Sequence, residues 1–162
     1  MVGGSAARRL GGSALLFLGG LSSEAIAQLP TGYEIGVQAL ATFAAPSFAG
    51  GAVSYGVRPG GRSRLVGLVS AGTRDGSLAG RGELVLQYLL APDRRRGVGF
   101  YGSGGIGGVT GRQGSGYLVI GLGLEWAPGG RSGWMLEGGV GGGLRLSVGW
   151  RLRWLHRSAP PP

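Results

Sequence analysis

From Leu144 to Trp154 every second residue is apolar: Leu144, Leu146, Val148, Trp150, Leu152 and Trp154 alternate with Arg145, Ser147, Gly149, Arg151 and Arg153. A period of two puts the two sets on opposite faces of a strand. The same period recurs through the chain and predicts eight strands: Tyr33 to Ala44, Phe48 to Arg58, Arg62 to Arg74, Ser77 to Leu90, Val98 to Val109, Ser115 to Ala127, Ser132 to Val140, and Leu144 to Trp154. No stretch carries the 3.6-residue period of an amphipathic helix. At 9 to 14 residues the segments exceed the usual globular strand of about 5 or 6. They suit a tilted membrane-spanning strand, which needs about 9 to 11.

The first segment sets Tyr33, Ile35, Val37, Ala39, Ala41 and Phe43 against Glu34, Gly36, Gln38, Leu40 and Thr42. In the fourth, Leu84, Leu86 and Tyr88 oppose Arg81, Glu83 and Gln87, and in the sixth Leu118, Ile120, Leu122, Leu124 and Trp126 alternate with Val119, Gly121, Gly123 and Glu125. The second, third and fifth segments are too rich in Gly and Ala to phase alone. Turn chemistry helps with the third. Asp75-Gly76 is a two-residue hairpin turn, because both residues tolerate positive φ. It sets Arg74 opposite Ser77, Ser70 opposite Arg81 and Leu65 opposite Leu86, so Leu65, Gly67, Val69 and Ala71 join the apolar face. The same logic at Gly141 to Gly143 sets Glu137 opposite Arg145. Pro59, Pro92 and Pro128 fall in alternate turns and mark one rim of the sheet, since Pro cannot donate to a ladder.

Composition adds a constraint. The 162 residues include 39 Gly, yet the chain is 43% hydrophobic and only 14% charged, which opposes disorder. The formal charge of +9 invites a nucleic-acid reading. Every basic residue is Arg, however, and these lie in short turns or alternate with apolar positions, so no continuous basic face exists for nucleic acid. The absence of Cys removes disulfides and thiolate chemistry. The N-terminus has the parts of an export signal: Arg8 and Arg9, the apolar "ALLFLGGL", and small residues Ala25 and Ala27 before Gln28. Residues 1–27 are therefore expected to be a signal peptide, 28–155 a barrel and 156–162 a short tail.

Aromatic positions fit two rims. Tyr33, Phe100 and Trp134 start odd strands and Tyr55, Tyr88, Trp126 and Trp154 end even ones, all near the Pro-rich rim. Phe43 and Phe48 occupy the other rim with Tyr117, whose phase points inward, and Tyr101 fits neither face. Outward aromatics at both ends of an apolar band are expected to form interfacial girdles. Glu34, Glu83, Glu125 and Glu137 fall on the opposite, inward phase, as do Arg64, Arg81, Arg145, Arg151 and Arg153. These nine are expected to form a charge network in a polar lumen, with Glu34 near Arg151 or Arg153 across the barrel seam.

A signal peptide, eight alternating strands, aromatic girdles and the closing "LRLSVGWRLRW" together resemble the small outer-membrane β-barrels of Gram-negative bacteria, the OmpA-like, OmpX-like and OmpW-like group. The resemblance covers Tyr33 to Trp154 and is one of pattern. It implies an all-β, eight-stranded antiparallel up-and-down transmembrane β-barrel in the outer membrane. It further implies contact with membrane lipid and lipopolysaccharide, insertion by the barrel-assembly machinery, and a monomer. The aromatic Trp154 stands where the family's assembly signal has one, but "LHRSAPPP" follows, whereas that signal usually closes the chain.

The expected function is that of a noncatalytic integral outer-membrane barrel, structural or at most a narrow, largely plugged pore, because eight strands leave an interior that side chains fill. Two alternatives remain open. A lipid-modifying enzyme needs a nucleophile with a base in reach, and the sole histidine, His156, follows the last predicted strand. A soluble secreted barrel binding an apolar ligand needs the reverse polarity, apolar inside. No metal or cofactor is expected; "GSGGIGG" superficially resembles a phosphate loop but lacks the Gly-Lys-Ser/Thr and the following helix.

Overall fold

Among the described residues eight two-faced strands have no second layer to cover them, and they close on themselves. A computed structural model describes residues 31–110 and 114–156; the expected leader and residues 157–162 of the expected tail lie outside the described residues. The strands are β1 (Thr31–Phe43), β2 (Phe48–Gly60), β3 (Ser63–Arg74), β4 (Ser77–Leu89), β5 (Val98–Val109), β6 (Ser115–Trp126), β7 (Ser132–Val140) and β8 (Leu144–His156). Each pairs antiparallel with its sequence neighbour, and β8 pairs with β1 to close the barrel. Closure removes both sheet edges. His156 extends β8 by one residue beyond the expected barrel boundary, pairs with Thr31 and is exposed.

The registers fix the barrel's shape. Successive partners around the ring run from Tyr33 to Val57, Leu65, Leu86, Gly104, Ile120, Val140, Leu144 and back to β1 at Phe43. The path returns ten residues along β1, a shear of ten. With a rise of about 3.3 Å and a strand spacing of about 4.8 Å, eight strands at this shear tilt by about 40° and enclose a backbone radius of about 8 Å. An interior of that width is just wide enough for side chains to fill.

Asp75 (φ 48°) and Gly76 (φ 77°) both lie in the left-handed region and turn β3 into β4, so Arg74 pairs with Ser77, Ser70 with Arg81 and Leu65 with Leu86. The last hairpin departs from expectation. Its turn uses all three residues Gly141 to Gly143, with Gly142 and Gly143 at positive φ, so Val140 pairs with Leu144 and Arg145 sits opposite Gly139. Glu137 instead faces Ser147, two residues further from the turn.

The faces are inverted relative to a soluble barrel. Ile35, Val53, Val69, Leu86, Ile106, Ile120, Leu122 and Leu146 are among the large apolar side chains exposed outside, while charged residues are buried inside. One apolar cluster, Leu40, Phe48 and Ala79 with Val109, packs inside, and other apolar side chains, Val66, Leu68, Val85, Val119 and Met135 among them, are buried as well. A soluble barrel with an apolar interior is therefore overturned as a reading. Two inward glycines explain how rings enter so narrow a lumen. Gly123 is paired with Tyr101 and Gly107 with Tyr117, and a Cβ at either glycine would overlap the facing ring.

Seven aromatics ring the end where both described termini emerge: Tyr33, Tyr55, Tyr88, Phe100, Trp126, Trp134 and Trp154 all point outward. Tyr33 stacks on Trp154 at 5.8 Å and Trp126 on Trp134 at 6.4 Å between ring centroids. At the other rim Phe43 points outward, but Phe48, expected beside it, is only 3% exposed and turns into the lumen. The reason is parity. Along β2 the outward residues Val53, Tyr55 and Val57 are odd-numbered and no bulge intervenes before Phe48, which pairs with inward Thr42. Phe48 and Tyr117 lie instead beside the Arg81 guanidinium, 5.9 and 4.5 Å from the ring centroids.

Candidate functional site

Among the described residues ten charged side chains are buried in the lumen: Glu34, Glu83, Glu125 and Glu137 with Arg58, Arg64, Arg81, Arg145, Arg151 and Arg153. Nine are those the phase assignment turns inward, and Arg58 is the addition. It shares even parity with inward Ala52 and Ser54, so the outward Tyr55 and Val57 were a signal for it. These residues divide into two clusters along the barrel.

The first lies toward the terminal rim and is built on two carboxylates. Arg58 Nε and Arg64 Nη1 donate to Glu34, the latter at 2.9 Å. Arg64 Nη1 is also 3.0 Å from Glu125 Oε2, the same oxygen that accepts from Arg153 Nη2 at 3.1 Å and from Arg151 Nη1 at 3.4 Å. Arg153 pairs directly with Glu34 across the β1–β8 seam, and its Nε lies 3.6 Å from Glu34 Oε2. Arg58 Nη2 lies 3.7 Å from Glu125 Oε1. Four guanidiniums therefore surround two carboxylates.

The second cluster, toward the other rim, is balanced. Arg81 Nε donates to Glu83 Oε1 at 2.7 Å, and Arg145 donates to Glu83 Oε2 at 3.0 Å and to Glu137 Oε1. The Glu137–Arg145 contact forms although the two are not directly opposed, because a long Arg side chain spans the diagonal between adjacent strands. Tyr117 donates its hydroxyl to Glu83 at 3.4 Å, and Arg81 Nη2 donates to the Gly141 carbonyl at 2.7 Å.

Gln87 joins the clusters. Its Oε1 accepts from Arg64 Nε at 2.8 Å and from Arg151 Nη1 at 3.3 Å, while its Nε2 donates to Glu137 at 3.0 Å. Tyr101 fills the remaining width beside it, with Arg64 and Arg151 guanidiniums 5.3 and 5.7 Å from its ring centroid. An amide suits this position because it can accept and donate at once.

The terminal mouth is covered as well. The connection from β4 to β5 (90–97) and that from β6 to β7 (127–131) are tied by Gly129 N–H to Arg94 O and Ala127 N–H to Gly97 O, both 2.8 Å. Two lumen arginines fasten them from below: Arg58 Nη1 donates to Pro92 O and Arg153 Nη1 to Ala127 O, each at 3.2 Å. Paired charges thus occupy the lumen under a two-loop lid. Every lumen carboxylate is held by at least one arginine. Among the described residues no group of three or more His, Cys, Asp or Glu is placed to hold a metal ion, and His156 lies at the outer end of β8.

No protein-family model matches the sequence, and no curated protein matches it either. Solved structures do match in fold. The N-terminal β-barrel domain of Pseudomonas aeruginosa OprF is similar with a TM-score of 0.60 at 17% sequence identity, covering 76% of this chain and 99% of that one. Neisserial surface protein A (NspA) is similar with a TM-score of 0.50 at 13% identity, covering 76% of this chain and 97% of that one. The chain thus has the closed eight-stranded antiparallel barrel fold of the OprF N-terminal domain and NspA, the architecture that its resemblance to the OmpA-like, OmpX-like and OmpW-like barrels implies.

Proposed function

We propose that the protein is a noncatalytic integral outer-membrane barrel whose lumen is a largely plugged polar core rather than an open pore. The observation behind this reading is the inverted polarity: large apolar side chains on the outside of all eight strands, ten buried charges within. A continuous apolar surface all round a closed barrel suits hydrocarbon and not water. Its height fits. Ten residues separate Tyr33 from Phe43, and at the tilt above they rise about 25 Å, the height of the apolar band of bacterial barrels. The aromatic ring at the terminal rim then sits at one membrane interface, with Phe43 near the other.

Under this reading residues 1–27 direct export, 28–156 form the barrel, 157–162 are a tail, and the chain works as a monomer. Assembly machinery inserts it and lipopolysaccharide contacts its outward face. The alternative, a lipid-modifying enzyme, draws no support from the lumen, where the carboxylates are committed to arginines and the chain's one His stands outside. Two measurements test the proposal. The protein should sediment with washed membranes and migrate differently on a gel when left unboiled. In a planar bilayer it should show at most rare, small openings. Protein left in the supernatant would refute the membrane assignment, and a large steady conductance would refute the plug.

A further inference from the structure

The lumen's charge imbalance is confined to one end. The cluster built on Glu83 and Glu137 has two carboxylates and two guanidiniums, whereas that built on Glu34 and Glu125 has two carboxylates for Arg58, Arg64, Arg151 and Arg153. The whole buried excess of two positive charges lies beneath the terminal mouth. Within that cluster Arg58 Nη2, Arg64 Nη2 and Arg153 Nε are buried without a hydrogen-bond acceptor among the described residues. Buried guanidinium groups in excess of their counter-charges favour an anion.

The surface above repeats the bias. Arg62, Arg94, Arg95, Arg96 and Arg131 are exposed on the terminal rim against one exposed acid, Asp93, whereas the described part of the opposite rim has Arg74 and Asp75. Between the two lid loops lies an open cavity of about 530 Å³ lined by Arg95, Gly129, Gly130, Arg131, Arg153 and Leu155. Arg153 therefore belongs to both the cavity and the over-charged cluster below it. The Gly129 and Gly130 N–H groups are already used, by Arg94 O and Ala127 O, which leaves guanidinium groups as the donors.

We propose that this cavity binds a phosphate oxyanion, held by Arg95 and Arg131 over the positive field of Arg153 and its neighbours. Planar guanidinium forks match the tetrahedral oxygens of phosphate in paired hydrogen bonds, which a monatomic anion cannot exploit. The phosphate can come from a phospholipid headgroup, whose level in the membrane the aromatic ring marks, or from free phosphate; the lipid source rests on the membrane reading above. Each arginine beside an anionic surface contributes about fivefold in affinity, so losing two costs about 25-fold.

The test uses the full chain folded in zwitterionic detergent, titrated separately with short-chain phosphatidylglycerol, short-chain phosphatidylcholine, inorganic phosphate and chloride, with tryptophan fluorescence as readout. Saturable binding of phosphatidylglycerol or phosphate, weakened at least tenfold by Arg95→Gln/Arg131→Gln and less than twofold by Arg62→Gln, is the expected result. Phosphatidylglycerol binding that inorganic phosphate does not displace identifies a lipid headgroup; saturation by phosphate alone identifies the free ion. Equal responses to phosphate and chloride, an unaffected double variant, or no saturable binding overturn the proposal. Mobility of the unboiled protein separates the failures: a chain with that shift and no phosphate binding sinks this site alone, and one without it sinks the membrane barrel first.

Discussion

Replacing Glu125 by Gln should be among the most damaging isosteric changes in the barrel. Glu125 is 1% exposed, and its two oxygens meet Arg64 at 3.0 and 3.3 Å, Arg153 at 3.1 Å, Arg151 at 3.4 Å and Arg58 at 3.7 Å. Glutamine keeps the shape but withdraws the charge and turns an amide N–H₂ toward donors. The local excess of two positive charges becomes three, all shared by Glu34. Removing one partner of a buried ion pair costs about 3 to 5 kcal/mol, most of it from charge left uncompensated in a poorly solvated site. Glu137→Gln provides the comparison, because it removes a carboxylate from the balanced cluster and leaves an excess of one. Its cost should be smaller by about 1 kcal/mol or more, since repulsion among fewer like charges remains. The assay is denaturant unfolding of the protein in lipid vesicles, followed by circular dichroism and by the unboiled band on a gel. Adding Arg151→Gln to Glu125→Gln should recover at least about 1 kcal/mol, a coupling that a double-mutant cycle isolates. A Glu125→Gln loss below about 1 kcal/mol, or one equal to that of Glu137→Gln, would refute the picture of a poorly solvated, over-charged cluster.

Further changes probe the packing and the membrane face. Gly123→Val forces a side chain into the Tyr101 ring and should abolish the unboiled folded band, while Gly123→Val with Tyr101→Ala should restore part of it, because the collision is with one ring; no restoration would place the fault elsewhere. Ile120→Arg puts a charge midway along β6 on the outward face, and should cost about 2 to 4 kcal/mol in vesicles, the penalty for Arg at the bilayer midplane. A negligible loss would argue that this face is not in lipid. Trp154→Ala removes the stack with Tyr33, worth about 0.5 to 1.5 kcal/mol beyond burial; Tyr33→Ala and the double variant should show that coupling in the same assay, and simple additivity would count against it.

The faces of the barrel were legible in the sequence because a strand's side chains alternate without exception where no bulge intervenes. That rule turned Glu34, Glu83, Glu125 and Glu137 inward, and applied consistently it also assigns Arg58 inward and withdraws Phe48 from the rim. Phe48 is misplaced and Arg58 left unassigned by the pattern alone because β2, rich in Gly and Ala, has too little polarity contrast to show its phase unaided. The Asp75-Gly76 register was equally readable, since only one turn geometry joins two strands through those two residues. A run of three glycines permits several turns, so the partner of Arg145 was decided by the folded hairpin.

What the chain order could not specify is which charges meet across the lumen. Gln87 and Glu137 are fifty residues apart, and Arg64 and Glu125 sixty-one. Their meeting depends on the shear of ten and on a radius of about 8 Å, quantities set by all eight pairings together. Closure also sorted the charges unequally, four arginines and two glutamates at the terminal end, two of each at the other. The sequence by itself determined which side chains face in and which face out, because alternation is a property of each strand. Only the closed barrel decided their heights and partners, because those depend on how far every strand slides against the next.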